Sequence, residues 1–193
     1  MVTAMQTMQF GVPLAYTSKG YSMGFTPIVQ YSSLDINYDS TGLKGGKKNG
    51  TGVAQDLAYG YTFGLDYKIR NFTVGAVYKS KITFDVKDVL NNAIQNFNVP
   101  TYDQKEMATP AEFGLGLSYN FKQHTIAFDY KTIKWSDAEG YKDFEWEDQN
   151  VMALGYEYTT NKWAARAGYQ CAKSAVQDQG NGKFVNMPQG QGQ

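Results

Sequence analysis

No stretch of this chain approaches the roughly 20 consecutive apolar residues that a membrane-crossing helix needs. Cysteine and histidine are nearly missing: among 193 residues there is one of each, Cys171 and His124. A single cysteine closes no internal disulfide, which suits a reducing compartment or a fold that needs no covalent staple. Together they make no Cys/His cluster at metal-ligand spacing. His124 falls at a predicted short turn with no nucleophile motif beside it, so a Ser-His-Asp site has no base. Charge of one sign is not in excess either. The 18 basic and 18 acidic residues cancel, and nothing points to nucleic acid as a partner.

Other signatures are incomplete. Residues 44–52, KGGKKNGTG, hold a Gly-Lys pair but not the GxxxxGK[ST] phosphate loop, and read as a flexible loop tip. The acidic run Asp143, Glu145, Glu147 and Asp148 lacks the ordered Asp/Asn/Gly pattern of a calcium loop and reads as solvated. No catalytic residue, metal or cofactor is expected, and the chain does not read as an enzyme. The first ten residues, MVTAMQTMQF, show neither the basic start nor the apolar stretch of an export signal. Either the protein is cytosolic or the chain is a segment of a longer gene product, and the strands favour the segment.

What the chain does have is alternation. Aromatics make up 15%, mostly 15 Tyr and 11 Phe, with 20 Gly, a β-rich composition with bends and close contacts. Residues 72–87, FTVGAVYKSKITFDVK, place Phe72, Val74, Ala76, Tyr78, Ile82, Phe84 and Val86 at every second position, with small, polar or charged residues between. A period of two predicts a strand with two unlike faces. The same pattern predicts strands through Phe10–Tyr16 (weakly), Tyr21–Tyr31, Leu57–Ile69, Phe113–Phe121, Ile126–Tyr130, Met152–Tyr158 and Trp163–Cys171. Beyond Ser33 the apolar parity switches to Leu34, Ile36 and Tyr38, which predicts a bulge, and Pro27 predicts a local break in the ladder.

Short turns near Lys19, Arg70, Gln123 and Asn161 alternate with long connections from Asp39, Asp88, Asp137 and Ser174. Short turns on one side and long loops on the other are the pattern of an antiparallel up-and-down transmembrane β-barrel wall, here about eight strands. Several strands exceed the 9–11 residues that cross a bilayer. The mean hydropathy of −0.48 does not oppose this, because barrel strands carry polar residues at every second place. The soluble alternative, an antiparallel binding or scaffold domain, would usually have strands of roughly 5–6 residues.

In a wall, the polar face lines the lumen. Lys79, Lys81, Lys131 and Arg166 lie on that face and are the candidate ligand-binding residues, able to meet a carboxylate by charge-assisted hydrogen bonds. The plainer reading pairs them with Asp66, Asp85, Asp129 and Glu157 as wall supports. Trp135, Tyr141, Phe144 and Trp146 form an aromatic-rich loop, suited to catching apolar ligands or to sitting at headgroup level.

Three stretches resemble the FadL-like outer-membrane transport family. In residues 59–86 the resemblance falls on Gly60, Gly64, Leu65, Tyr67, Gly75, Tyr78, Lys79 and Ser80. Residues 108–121, ATPAEFGLGLSYNF, are similar to the Pro-led strand that follows. Residues 134–169 carry Trp135-Ser136, Trp146-x-Asp148, Leu154-Gly155, Tyr158, Trp163 and Arg166-Ala167-Gly168-Tyr169. The resemblance implies a bacterial outer-membrane location and a 14-stranded barrel, of which residues 1–193 are one partial domain, with 174–193 a polar extracellular loop or tail. It implies a plug, a lateral opening, a monomer, and membrane lipid as the surroundings. It also implies passive uptake of long-chain fatty acids or aromatic hydrocarbons. A general water-filled porin is the alternative transport reading.

Overall fold

The computed structural model describes residues 2–39, 48–89, 91–92 and 105–176. Along the chain run β1 (Val2–Gly11), β2 (Leu14–Ser18), β3 (Tyr21–Asp39), β4 (Lys48–Ile69), β5 (Phe72–Lys79), β6 (Ile82–Asp85), β7 (Glu106–Thr109), β8 (Glu112–Phe121), β9 (His124–Ile133), β10 (Gln149–Thr159) and β11 (Ala164–Ala172). All strand pairs are antiparallel. One curled sheet runs β1-β3-β4-β5-β8-β9-β10-β11, with β2 continuing the line of β1 against β3. The expected wall of about eight strands is therefore present, and β6 and β7 form a small sheet of their own.

Register explains the two faces. The row Met23–Leu65–Ala76–Leu115–Tyr130–Met152–Cys171 runs across the sheet on the outer face. One residue along, the row Ser22–Asp66–Gly75–Gly116–Asp129–Ala153–Gln170 lines the inner face. The outer rows Tyr21–Tyr67–Val74–Leu117–Phe128–Leu154–Tyr169 and Phe25–Phe63–Tyr78–Phe113 repeat the contrast, and these large side chains stand exposed on the isolated chain. A soluble domain does not leave so broad a continuous apolar band uncovered. Lipid covers such a band in a barrel, and each row adds about 6.8 Å along the strand, so a few rows span the roughly 25 Å apolar belt. The short turns lie at Lys19-Gly20, Arg70-Asn71, Lys122-Gln123 and residues 160–163, all at one end.

Four expectations are corrected or refined. Residues 72–87 are not one strand. β5 stops at Lys79, and β6 turns inward to pair with β7. Ser80 makes the break: its N–H donates to the Tyr61 carbonyl (2.9 Å) and its Oγ accepts the Tyr61 N–H (2.9 Å). Above that point Asp56 takes over on β4, accepting the N–H of Leu57 and of Asp85 at 2.8 Å each. Second, the bulge expected in the stretch Leu34 to Tyr38 is present as a register shift between Asp35 and Asn37, but it does not cause the parity switch. Up to Asp35↔Val53 the β3–β4 register is unbroken, and Leu34 and Ile36 share the inner face with Ile28 and are buried beneath the β6–β7 hairpin.

Third, the break expected at Pro27 falls on one side only. Pro27 keeps its place opposite Tyr61 in the β4 ladder, while on the other side Val12 and Pro13 separate β1 from β2 opposite Thr26 and Pro27, two prolines withholding donors at one spot. Fourth, the first strand starts at Val2, well before Phe10. Of the expected loop tip at 44–52, residues 48–52 belong instead to β4, paired with the end of β3, and 44–47 lie outside the described residues, as does the tail from 177.

The β6–β7 hairpin is the core of the upper half. Ile82 is 0% exposed and Phe84 2%, packed with Val86 and Val89 on Ile28, Leu34, Ile36, Ala54 and Ala58. Small residues on β4 make this fit possible: a Cβ on Gly60 would stand 2.5 Å from Ile82 Cγ1 and 2.8 Å from Ser80 Oγ. A polar strut adds to it. Gln30, wholly buried, accepts from Gln9 Nε2 (2.7 Å) and Thr109 Oγ1 (3.1 Å) and donates to Ser32 Oγ (2.9 Å), tying β1, β3 and β7 together.

Gly60→Val should therefore unseat the hairpin and cost about 1–3 kcal/mol of stability. Gly155→Ala, whose new methyl meets nothing nearer than 3.9 Å, should stay within about 0.5 kcal/mol of the parent. Urea titration of the heat-modifiable folded band measures both, and equal losses would mean that Gly60 is not the seat of Ile82.

Candidate functional site

Below the hairpin the inner wall is concave, with a hollow of about 560 Å³ floored by Gly24, Gly64, Gly75, Gly114 and Gly116. Gly24 faces Gly64 and Gly75 faces Gly116 across neighbouring strands, so the floor lies close to the backbone. Charged side chains rim it. Glu112, at the start of β8, holds two ammonium groups: Lys131 Nζ at 2.9 Å and Lys79 Nζ at 3.8 Å. Two cations on one carboxylate leave this part of the wall net positive. Lower down, Asp66 and Asp129 end the row Asp66–Gly75–Gly116–Asp129 and have no ion-pair partner among the described residues. Asp129 leans over Gly116, where a Cβ would stand 2.8 Å from its Oδ1.

The four candidate cations thus separate. Lys79 and Lys131 meet at Glu112. Arg166 stands on the edge strand β11 and pairs with its cross-strand neighbour Glu157, as the plainer reading expected of that pair. Lys81 is not on the lumen wall. It follows the Ser80 break and reaches the 134–148 loop, bonding Glu139 Oε1 (2.9 Å) and the Asp137 carbonyl (3.0 Å). The expected partners Asp66, Asp85 and Asp129 are replaced by Glu112 and Glu139. Cross-strand register decides this, since Lys79 and Glu112 are direct neighbours. Glu112 went unnoticed in the sequence, although its place on the polar parity of residues 112–121 marks it as lumen-facing.

Above the hollow the hairpin and the 134–148 loop are joined. Ala108 N–H donates to the Glu139 carbonyl (3.0 Å), and Gly140 sits against Met107 at a φ of 81°. Burial pushes the Glu139 carboxyl up. The Lys81 hydrogen bond, a backbone bond and the charges of Lys81 and Lys142 outweigh that and hold it below the usual carboxylate range. The same hydrogen bond raises Lys81. Within the loop, Trp135, Tyr141 and Trp146 pack on one another with ring centroids 4.7, 5.1 and 5.0 Å apart. They form a closed knot, with Trp135 Nε1 buried and without a partner, and burial raises Tyr141. Phe144 leaves the group and packs on the core under the hairpin.

A clip holds the knot's base. Asp148 accepts from Lys134 Nζ (2.5 Å) and from Ser136 Oγ (2.7 Å). Burial raises the Asp148 carboxyl, but the bonds from Lys134 and Ser136 and the Lys134 charge bring it below its ordinary value.

Among the described residues no group of three or more His, Cys, Asp and Glu is placed to hold a metal ion, and no helix is long and apolar enough to cross a membrane. Lipid-facing apolar rows, a polar inner wall and loops folded over one end define a transport-type outer-membrane β-barrel wall. The chain belongs to the outer membrane protein transport protein family (OMPP1/FadL/TodX), whose sequence profile matches residues 2–190.

Solved structures share the fold. The toluene transporter TbuX of Ralstonia pickettii superposes with a TM-score of 0.63 at 15% identity, over 89% of this chain and 56% of that one. A FadL homologue of Pseudomonas aeruginosa gives 0.64 at 16%, over 91% and 51%. The toluene transporter TodX of Pseudomonas putida gives 0.59 at 18%, over 89% and 56%. The chain thus spans about half the length of the structures it matches. No curated protein matches it in sequence.

Asp148, with its lowered carboxyl, stabilises the loop at pH values above the ordinary aspartate value of 3.8, and that contribution is lost as pH falls through the folded-state value. The tryptophan emission of the loop should therefore move to longer wavelength as pH drops from 5 to about 2. Asp148→Asn should show the shifted emission already at neutral pH, with no acid step. An acid step of unchanged size in Asp148→Asn would assign the transition to another group.

Proposed function

We propose that this wall belongs to a barrel that admits hydrophobic small molecules, long-chain fatty acids or aromatic hydrocarbons, across the outer membrane by passive diffusion. The observation that carries the reading is the β6–β7 hairpin. A strand that leaves the wall and fills the mouth with packed apolar side chains suits a selective entry for greasy solutes. An open water-filled porin, the second reading, has less use for it. Membership of a transport family and the likeness to two toluene transporters support the same choice. Partition supplies the drive, about 0.8 kcal/mol per CH₂ taken from water, and release runs down the gradient with no chemistry or nucleotide.

Between the two ligand classes, the cation excess at Lys79, Glu112 and Lys131 favours a carboxylate head group, which would share the two ammonium groups with Glu112. Arg166, held by Glu157, and Lys81, held by Glu139, have less to offer. The test is uptake of oleate and of toluene into liposomes carrying the complete barrel protein that contains this chain. Lys79→Gln with Lys131→Gln should lower oleate uptake about fivefold, the scale of one charge-assisted hydrogen bond at a partly wet site, and leave toluene uptake unchanged. Unchanged oleate uptake would remove the head-group role. Large ion conductance without preference for either solute would instead establish the porin.

A further inference from the structure

The short-turn end of the wall carries a one-signed charge that transport does not use. Each of the four hairpin ends brings a basic residue: Lys19, Arg70 with Lys68, Lys122, and Lys162. None of the 18 acidic residues falls in the ends, residues 18–21, 68–73, 120–125 and 158–163. Among the described residues none of the five has a carboxylate partner. Every ion pair described lies farther up, on the inner wall or in the loops above it. The net charge of zero therefore conceals a positive collar at one end and a matching negative excess on the rest.

Backbone conformation makes the collar hard to dismiss as ordinary turn chemistry. Lys19, Arg70 and Lys122 occupy the left-handed region, at φ of 43°, 53° and 54°. Glycine or asparagine adopts that conformation most readily in two-residue hairpins. Three turns nevertheless place a long cation there. The next row inward is aromatic, with Tyr67, Phe72, Tyr119, Phe121, Tyr158 and Trp163 around the outer face, Phe72 and Tyr119 in contact at 4.5 Å and Tyr158 and Trp163 at 5.5 Å. Such a belt marks the edge of the hydrocarbon. Cations one or two residues beyond it lie at headgroup depth, where long basic side chains reach phosphates.

We propose that the short turns form a binding collar for anionic phospholipid headgroups of the periplasmic leaflet, with Lys19, Arg70, Lys122 and Lys162 as its contacts; Lys68 shares the inner-face parity of Asp66 and is not one of them. The proposal rests on the wall crossing a bilayer with its short turns on the periplasmic side. Lipid is the occupant because the belt fixes the depth of the charges, because every short turn carries one, and because Lys122 Nζ lies over the outward Phe121 ring, 5.3 Å from its centroid.

The test uses the complete barrel protein in detergent, with equimolar phosphatidylglycerol and phosphatidylethanolamine added, and native mass spectrometry to count retained lipids. The parent should retain phosphatidylglycerol preferentially. Lys19→Gln, Arg70→Gln, Lys122→Gln and Lys162→Gln combined should reduce that preference at least about tenfold, the effect of losing two or more cations at an anionic surface. A control with Lys87→Gln and Lys105→Gln, at the loop end, should keep it. Heat-modifiable migration reports folding separately. If the combined variant does not fold, Lys19→Gln with Lys122→Gln serves, with a smaller loss expected. A folded variant that keeps the preference, a parent that shows none, or displacement of the lipid by excess inorganic phosphate would each overturn the collar. A parent that yields no heat-modifiable barrel would overturn the membrane reading beneath it.

Discussion

Hydrocarbon offers no partner to a backbone N–H or C=O, so every such group within the bilayer must bond to a neighbouring strand. The rest of this structure follows from that constraint. Ladders are continuous where the wall faces lipid, from Ile69↔Phe72 to Thr62↔Lys79 and from Phe121↔His124 to Glu112↔Ile133. Between β4 and β5 the ladder is abandoned at Ser80, toward the loop end, where water and side chains can take over. There Ser80 and Asp56 replace the missing strand for Tyr61, Leu57 and Asp85. A locked register also fixes parity. That is why one row of the sheet can be wholly apolar while the row beside it carries Asp66 and Asp129.

Alternation made the wall legible, because lipid on one side and water on the other demand it at every position of residues 57–69 and 113–121. It could not reveal the hairpin. Val74, Ala76 and Tyr78 share parity with Ile82, Phe84 and Val86, so the pattern runs straight through a break at which the chain changes sheets. Periodicity reports that a strand has two unlike faces, and is silent on what covers each. The same silence hid why Leu34 and Ile36 are apolar: a covered inner face makes them so, and the bulge between Asp35 and Asn37 only accompanies it.

The charges were legible as lumen-facing but not as pairs. Partner choice depends on which residues stand opposite, and register between strands some 30 residues apart, such as Lys79 and Glu112, is not written in either strand alone. The aromatic loop shows the same limit. Trp135, Tyr141 and Trp146 read as a group in the sequence, and they are one. Whether such rings open to a ligand or close on each other is decided by the Lys134–Asp148 clip and by the β6–β7 hairpin beneath the loop, both of them tertiary.

The hairpin also constrains how the mouth can work. Swinging it away would expose Ile82, Phe84 and Val86, each worth about 1.5–3 kcal/mol of burial, and would leave Gln30 without its bond from Thr109. At about 1.4 kcal/mol per tenfold, the open form would be populated in fewer than roughly one molecule in a thousand. Under the proposed passive entry, a gate so rarely open would not serve. The hairpin would act as a fixed ledge that narrows the mouth, and solutes would pass beside it, along the inner face where Gly64, Gly75, Gly114 and Gly116 set the wall back. Selectivity in such an entry would come from the shape and polarity of that passage, with the charged side chains of the thinned wall in reach of whatever moves through.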